Sequence, residues 1–331
     1  MIKPIALTYG EPSGIGPETV AAAWREIGAE IPFFLIGDPS HIPIGTPVKS
    51  IESPDDVSQT QGRALPILAL PFNGDLTPGI PNPSHSHSVV NAIDKSLELA
   101  SAGKVSAICT GPINKHALRQ NTRFPYPGHT EYLASKTGGQ RAVMMLACDS
   151  FRVVPATIHM PLSRVSNALS ADLLEETIRI TNRELVSSFG IEKPRISVAG
   201  LNPHAGENGV MGSEEKETIS PVLDMLRSEG YCLNGPLSAD TMFHEEMRLS
   251  YDAAICMYHD QALIPIKTLY FDRGVNITLG LPIIRTSPDH GTALDIAGRG
   301  KSNPRSMIES IKTAAQIAKN RHVAEQRTCP P

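Results

Sequence analysis

Three apolar runs of this chain each lead into a histidine. Val153–Ile158 leads into His159, Ile196–Leu201 with Asn202 and Pro203 into His204, and Ala253–Tyr258 into His259. In open α/β sheets, ligands bind just beyond the carboxyl ends of the strands. Three imidazoles delivered there by three strands are expected to serve one metal centre. Neutral imidazoles suit Zn, Co, Ni or Mn, and three protein ligands leave positions open for substrate oxygens, as in a catalytic site. Asp260 and Glu207, close to His259 and His204, either hold imidazole tautomers or are solvated turn residues.

A second set of side chains suits anions. Lys267, Asn276 and Arg285 follow His259 at intervals of eight or nine residues within largely apolar sequence. Arg285 stands between the β-like run Leu281–Ile284 and a polar turn, where a cation commonly faces carboxylate or phosphate. Pro127–Glu131 adds a glycine-opened turn carrying His129 and Thr130. With the metal, these describe a pocket for a small, phosphorylated, oxygen-rich substrate. His85 and His87 form a His-x-His pair in Pro71–Ser88, a stretch expected to be a long loop, and are a weak metal candidate.

The elements that must position these groups alternate between short apolar runs and amphipathic segments, the mark of a mostly parallel sheet with helical crossovers. Strands are expected at Ile5–Thr8, Phe33–Ile36, Val105–Thr110 and Ala142–Ala147, besides the three histidine-tipped runs. Helices are expected over Ala171–Phe189, stopped by Gly190, over Ser213–Glu229, and over Asn303–Lys319 with Pro304 in its first turn. At 331 residues the chain exceeds a usual single core, so two domains are expected. A net charge of -4 gives no basic field, so neither nucleic acid nor a membrane surface is an expected partner. No apolar stretch is long enough to span a bilayer, and Met1–Pro4 leads straight into a strand without a signal-peptide core. The five scattered cysteines form no CxxC pair, and Thr328–Pro331 reads as a loose tail; a cytoplasmic protein with reduced thiols is expected.

The segment Asp289-His290-Gly291-Thr292-Ala293-Leu294-Asp295-Ile296-Ala297-Gly298, followed by Asn303-Pro304, carries the argument to a family. It resembles the dinucleotide loop of the isocitrate and isopropylmalate dehydrogenases, and Gly14-Ile15-Gly16-Pro17-Glu18 matches the same superfamily. Those enzymes bind NAD without a Rossmann fingerprint, and no GxGxxG opens a helix here. Gly10–Glu18, Gly128–Glu131, Asn202–Glu207, Tyr258–Gln261 and Gly274–Pro282 together resemble the 4-hydroxythreonine-4-phosphate dehydrogenase family over nearly the whole chain.

The resemblance implies an α/β fold of two α/β/α domains around a cleft. Residues 1–135 plus 270–331 would form the domain with the dinucleotide loop, and 136–269 the domain with the metal histidines. It implies one divalent metal (Zn, Co or Mg, with Mn as a further possibility) on His159, His204 and His259. Substrate would be held by His129, Thr130, Lys267, Asn276 and Arg285. NAD would lie on His290, Gly291, Thr292 and Asp295, the last repelling a 2′-phosphate. The implied reaction oxidises 4-phosphooxy-L-threonine to 2-amino-3-oxo-4-phosphooxybutanoate, which decarboxylates to 3-amino-2-oxopropyl phosphate, a precursor of pyridoxine 5′-phosphate. The base is Asp240, which could equally be a helix N-cap, or Lys267. The implied assembly is a homodimer with the active site at the subunit interface, His259 joining His159 and His204 of the other subunit. Rival readings are a paralogue acting on D-threonate or D-erythronate 4-phosphate or an aromatic cis-dihydrodiol, and, more remotely, a phosphate acyltransferase or a non-catalytic binding protein.

Overall fold

A computed structural model of the chain describes residues 3–122, 124–126, 128–138 and 141–328. Pro127 of the expected turn, Cys329 and the rest of the expected tail beyond Thr328, and Met1 and Ile2 lie outside the described residues. The strands are β1 Ile5–Thr8, β2 Phe33–Gly37, β3 Val48–Ile51, β4 Leu65–Ala69, β5 Ala107–Thr110, β6 Val143–Cys148, β7 Phe151–Pro155, β8 Arg195–Ala199, β9 Cys232–Leu237, β10 Ala253–Cys256, β11 Val275–Leu279 and β12 Arg285–Pro288.

The chain divides into two compact units, Met1–Arg141 with Leu281–Lys319, and Ala142–Gly280 with Asn320–Pro331. Both internal crossings fall downstream of the positions implied by the resemblance, and the end of the chain goes with the middle segment. The first unit carries strands in the order β3-β4-β2-β1-β5-β12, all parallel. β1, β2, β5 and β12 are buried along their whole length, as parallel strands covered on both faces must be. The second unit runs β11-β6-β7-β10-β8-β9, antiparallel at β11-β6-β7 and parallel from β7 onward. Its core joins Leu146, Val153, Ala254 and Cys256 of the strands to Leu263 and Ile266 of the helix His259–Tyr270.

Local chemistry explains the helices. Ala171–Ser187 starts where the Ser170 hydroxyl accepts from Leu173 N–H at 3.1 Å, buries Leu174, Ile178 and Leu185, and gives way to Gly190 at φ 70°. The expected Ser213–Glu229 helix is instead a π-helical turn, Glu215–Ile219, followed by an α-helix over Ser220–Ser228. Pro221 has no N–H to give the preceding turn, so the regular ladder cannot run through it. The last helix, Arg305–Thr328, runs further than expected; Asn303 accepts from Arg305 N–H at 3.0 Å and Pro304 lies just ahead of the first turn. The expected Pro71–Ser88 loop ends early, in a 3-10 turn at Pro83–His85 and the helix Ser86–Ser101. That turn buries His85 against His41 and Phe72, with ring centroids 5.4 and 5.7 Å away, while His87 is exposed. Two residues apart in a helical stretch, the rings leave on opposite sides, one into the core and one to solvent, so the His-x-His pair is not a joint metal site. Among the described residues no helix is long and apolar enough to cross a membrane.

Candidate functional site

The three histidine-bearing strands are immediate neighbours. β10 lies between β7 and β8 and is parallel to both, with Ala254 opposite Val153 and Ser197. His159, His204 and His259 therefore all follow the carboxyl ends of adjoining strands, the position expected for a ligand site. Two polar ties hold those ends together. Thr157 donates from both its N–H and its hydroxyl to the Met257 carbonyl, joining β7 to β10. Buried Gln261 accepts from Met257 N–H at 2.7 Å and donates to the Gly200 carbonyl at 2.9 Å, joining β10 to β8.

His259 opens the helix His259–Tyr270, and its Nδ1 lies 2.6 Å from Asp260 Oδ1. Asp260 thus fixes the tautomer and leaves Nε2 as the free donor, a common second contact of metal-binding imidazoles. The His159 ring lies 5.9 Å from the His259 ring, and both line a cavity of about 340 Å³ with Thr157, Tyr258 and Asp260. His204 sits on a turn whose residues His204–Asn208 all have positive φ, from 41° to 78°, and His159 is also left-handed at φ 52°. Non-glycine residues hold such backbone only where their surroundings enforce it, and such residues cluster at functional sites. Two acids anchor the residue just ahead of this turn. Asn202 N–H donates to Glu215 at 2.7 Å, and Asn202 Nδ2 donates to Glu214 and Glu215 at 2.7 and 3.0 Å. Hydrogen bonds from the Ser166 hydroxyl and Asn202 hold Glu214 below the usual carboxylate range. Glu207 is exposed. Among the described residues, no three His, Cys, Asp or Glu side chains of a single chain converge on one metal position.

Lys267 lies two turns along the helix from His259 and shares a shallow groove with His259, Asp260 and Leu263. Asn276 on β11 keeps a buried Oδ1 with no hydrogen-bond partner. Asp240 is exposed in the 3-10 turn Ala239–Thr241, which packs beside the His204 turn. Its carboxylate accepts from the Ser238 hydroxyl at 2.6 Å, and it is Ser238 that takes the N-cap position, so the capping reading of Asp240 does not hold.

The first unit carries its own polar cluster. Arg285 at the start of β12 is only 4% exposed and donates twice to the Thr110 hydroxyl at the end of β5, at 3.1 and 2.8 Å. Burial lowers its pKa to about 10. His129 opens the helix His129–Lys136 and is 8% exposed, with a buried Nε2 that has no hydrogen-bond partner. Burial, reinforced by the positive charges of Arg285 and Lys115, keeps this imidazole neutral far below its ordinary range. Thr130 is the next residue of the same helical turn. Lys115, after the Gly111–Asn114 loop that follows β5, was not singled out from the sequence; a lone lysine in a proline-containing loop carries too little pattern.

The Asp289–Gly298 loop, expected to bind the dinucleotide, packs on the glycine motif near the amino terminus. Ile15 N–H donates to the Thr292 carbonyl at 3.0 Å, and a Cβ on Gly14 would stand 2.5 Å from that oxygen. A Cβ on Gly16 would meet the Tyr9 carbonyl at 2.0 Å. Close backbone approach, rather than phosphate cradling, accounts for both glycines. Glu18 accepts from Gly298 N–H at 2.5 Å. His290 has a buried, unpartnered Nε2 and a pKa lowered by burial, while Gly291 faces open space and Asp295 is exposed. A cavity of about 590 Å³ lies nearby, but its walls come from Gly14, Glu18, Arg25, Ile44, Pro78 and Gly298 rather than from those four expected residues.

The sequence model described as pyridoxal phosphate biosynthetic protein PdxA matches residues 34–314. The chain is 53% identical to a 4-hydroxythreonine-4-phosphate dehydrogenase of Ruegeria sp. (strain TM1040), covering 96% of this chain and 97% of the relative. It is 54% identical to the protein of the same name from Roseobacter denitrificans, covering 97% and 98%. The crystal structure of 4-hydroxythreonine-4-phosphate dehydrogenase from Klebsiella pneumoniae superposes with a TM-score of 0.86 at 37% identity, covering 96% of this chain and 99% of that one. An isocitrate dehydrogenase from Methylococcus capsulatus shares the fold at 14% identity, with a TM-score of 0.51 over 98% of this chain and 88% of the other. The α/β architecture, the histidine-tipped strands and this likeness agree: the chain belongs to the family of the pyridoxal phosphate biosynthetic protein PdxA, an oxidoreductase family.

Proposed function

We propose that the protein oxidises 4-phosphooxy-L-threonine with NAD to 2-amino-3-oxo-4-phosphooxybutanoate, which loses CO2 to give 3-amino-2-oxopropyl phosphate for pyridoxine 5′-phosphate synthesis. The observation that carries this reading is the arrival of His159, His204 and His259 at the carboxyl ends of three adjoining strands. The donor set suits Zn or Co, and less well Mn or Mg, because imidazole nitrogens are softer than the oxygen ligands Mg prefers. Asp260 meets His259 Nδ1 and so leaves Nε2 to face a cation, and two of the histidines are held in costly left-handed backbone. The cavity beside Gly14 and Gly298, with Pro78 and Ile44 at its wall and Glu18 and Arg25 as polar contacts, fits the adenosine end of NAD. His290, Gly291, Thr292 and Asp295 then bind beside that same end, with Asp295 at the adenosine ribose.

His159, His204 and His259 would hold the metal, which would supply Lewis acidity toward the substrate's C3 oxygen, and NAD would supply the hydride acceptor. The chain's own groups position the substrate. Arg285, His129 and Thr130 hold one anionic end, and Asn276 Oδ1 accepts from a donor of the substrate such as its ammonium. The C3 hydroxyl proton goes to one of two candidate bases, Lys267, two turns along the helix from His259, or Asp240, in the turn that packs beside the His204 turn.

The functional unit is a homodimer in which two copies complete each metal site. Large apolar side chains stand in solvent on the segments that carry the histidines: Leu162 three residues after His159 at 68% exposed, Val210 after the His204 turn at 80%, and Phe271 at the far end of the His259 helix at 80%. Such exposure around an incomplete ligand set is what an interface between copies requires. The free thiols Cys109, Cys232 and Cys256 accord with a cytoplasmic enzyme.

The test is NADH formation from a panel of 4-phosphooxy-L-threonine, D-threonate and D-erythronate 4-phosphates and a cis-dihydrodiol, with and without chelator. Metal-dependent turnover of the first substrate is expected. Its absence, or a better rate on another member, overturns the assignment.

A further inference from the structure

We infer that Lys115 is a substrate-positioning residue that supplies the deciding positive charge of the anion subsite in the first unit and binds the phosphate group. This rests on the proposed activity for the identity of the substrate, but not for the binding of phosphate itself.

Three observations converge. The charges of both Lys115 and Arg285 bear on the His129 imidazole, so the two cations flank one buried ring. That ring has a sealed Nε2 without a partner, a donor or acceptor awaiting a ligand. A Cβ built on Gly128, the residue before His129, would stand 3.7 Å from Lys115 Nζ and 3.5 Å from Glu131 Oε2, so the Lys115 ammonium lies at the start of the helix that His129 opens.

The charge balance then needs the lysine. Arg285 and Lys115 bring two positive charges, Glu131 one negative, and His129 is neutral, so the cluster is positive with Lys115 and sums to zero without it. A phosphate monoester brings about two negative charges near neutral pH. The stem of Lys115 is exposed, so its ammonium is free to swing from the neighbourhood of Glu131 onto an arriving phosphate. Arg285, fixed by Thr110, cannot follow.

The experiment uses the whole enzyme with its metal and NAD, and compares Lys115→Met and Lys115→Arg. In Lys115→Met the KM for 4-phosphooxy-L-threonine is expected to rise about tenfold or more, the loss of one charge-assisted contact. Lys115→Arg should recover most of that loss, and kcat/KM for unphosphorylated 4-hydroxy-L-threonine should stay within about twofold in both variants. An equal loss on both substrates, an unchanged KM, or no rescue by arginine overturns the role. Inorganic phosphate separates this from the activity assignment. It should raise the melting temperature of the wild type and not of Lys115→Met, whatever alcohol the enzyme oxidises; equal protection of both overturns the subsite.

Discussion

His129 shows how much of this site lies in single atoms. Its Nε2 is walled off by the fold and flanked by two cations, so protonation is opposed by burial first and by Arg285 and Lys115 next. His41 and His290 are likewise lowered by burial. Below the ordinary value of 6.5, the unfolded chain takes up protons that these folded rings refuse. Their contribution to stability is therefore complete above pH 6.5 and declines as the pH falls through it. His129→Asn should remove one such proton from the balance. The fall in unfolding free energy from pH 6.5 to 5 should flatten by up to about 1.4 kcal/mol per pH unit. Denaturant titrations at several pH values measure this, and identical slopes in wild type and variant would contradict it.

The strand ends are held to one another by Gln261 and Thr157, and the His204 turn by Glu214 and Glu215. Gln261 matters twice, since one amide satisfies the Met257 N–H and the Gly200 carbonyl and so fixes the spacing between the His259 and His204 strands. Gln261→Leu should leave both groups buried and unpaired, at about 1–3 kcal/mol each. Affinity for zinc should fall about 10–100-fold, the usual effect of losing support behind ligands. Calorimetric zinc titration beside urea unfolding reads both. A destabilised variant with undiminished zinc affinity would show that other contacts set the ligand spacing.

The assembled molecule must account for large apolar side chains in water on the segments that carry the histidines. Phe271, which ends the helix that His259 opens, and Val210, which follows the His204 turn, are both 80% exposed. Phe271→Asp should weaken the dimer about thirtyfold or more, the effect of removing a buried aromatic anchor worth about 2 kcal/mol. Metal affinity should fall in step, because each site needs both copies. Sedimentation with parallel metal titration decides the matter: a monomer that binds metal as well as the wild type would refute the shared site.

The α/β class and the histidines at strand ends were legible in order alone. Each depends on neighbours in sequence, an apolar run ending in a polar residue. For Asp260 the order left two readings open, and contact with His259 Nδ1 decided between them. Other features come from residues far apart in the chain. Packing of Gly14 against Thr292, burial of His85 beside His41, the partnership of Arg285 with Thr110, Lys115 acting on His129, and the carboxylates that anchor Asn202 ahead of the His204 turn all arise when distant segments meet. Burial and charge depend on distance in space rather than along the chain. The amino-acid order could therefore name the histidines and the arginine, and folding alone chose which polar atoms were left without partners to meet a substrate.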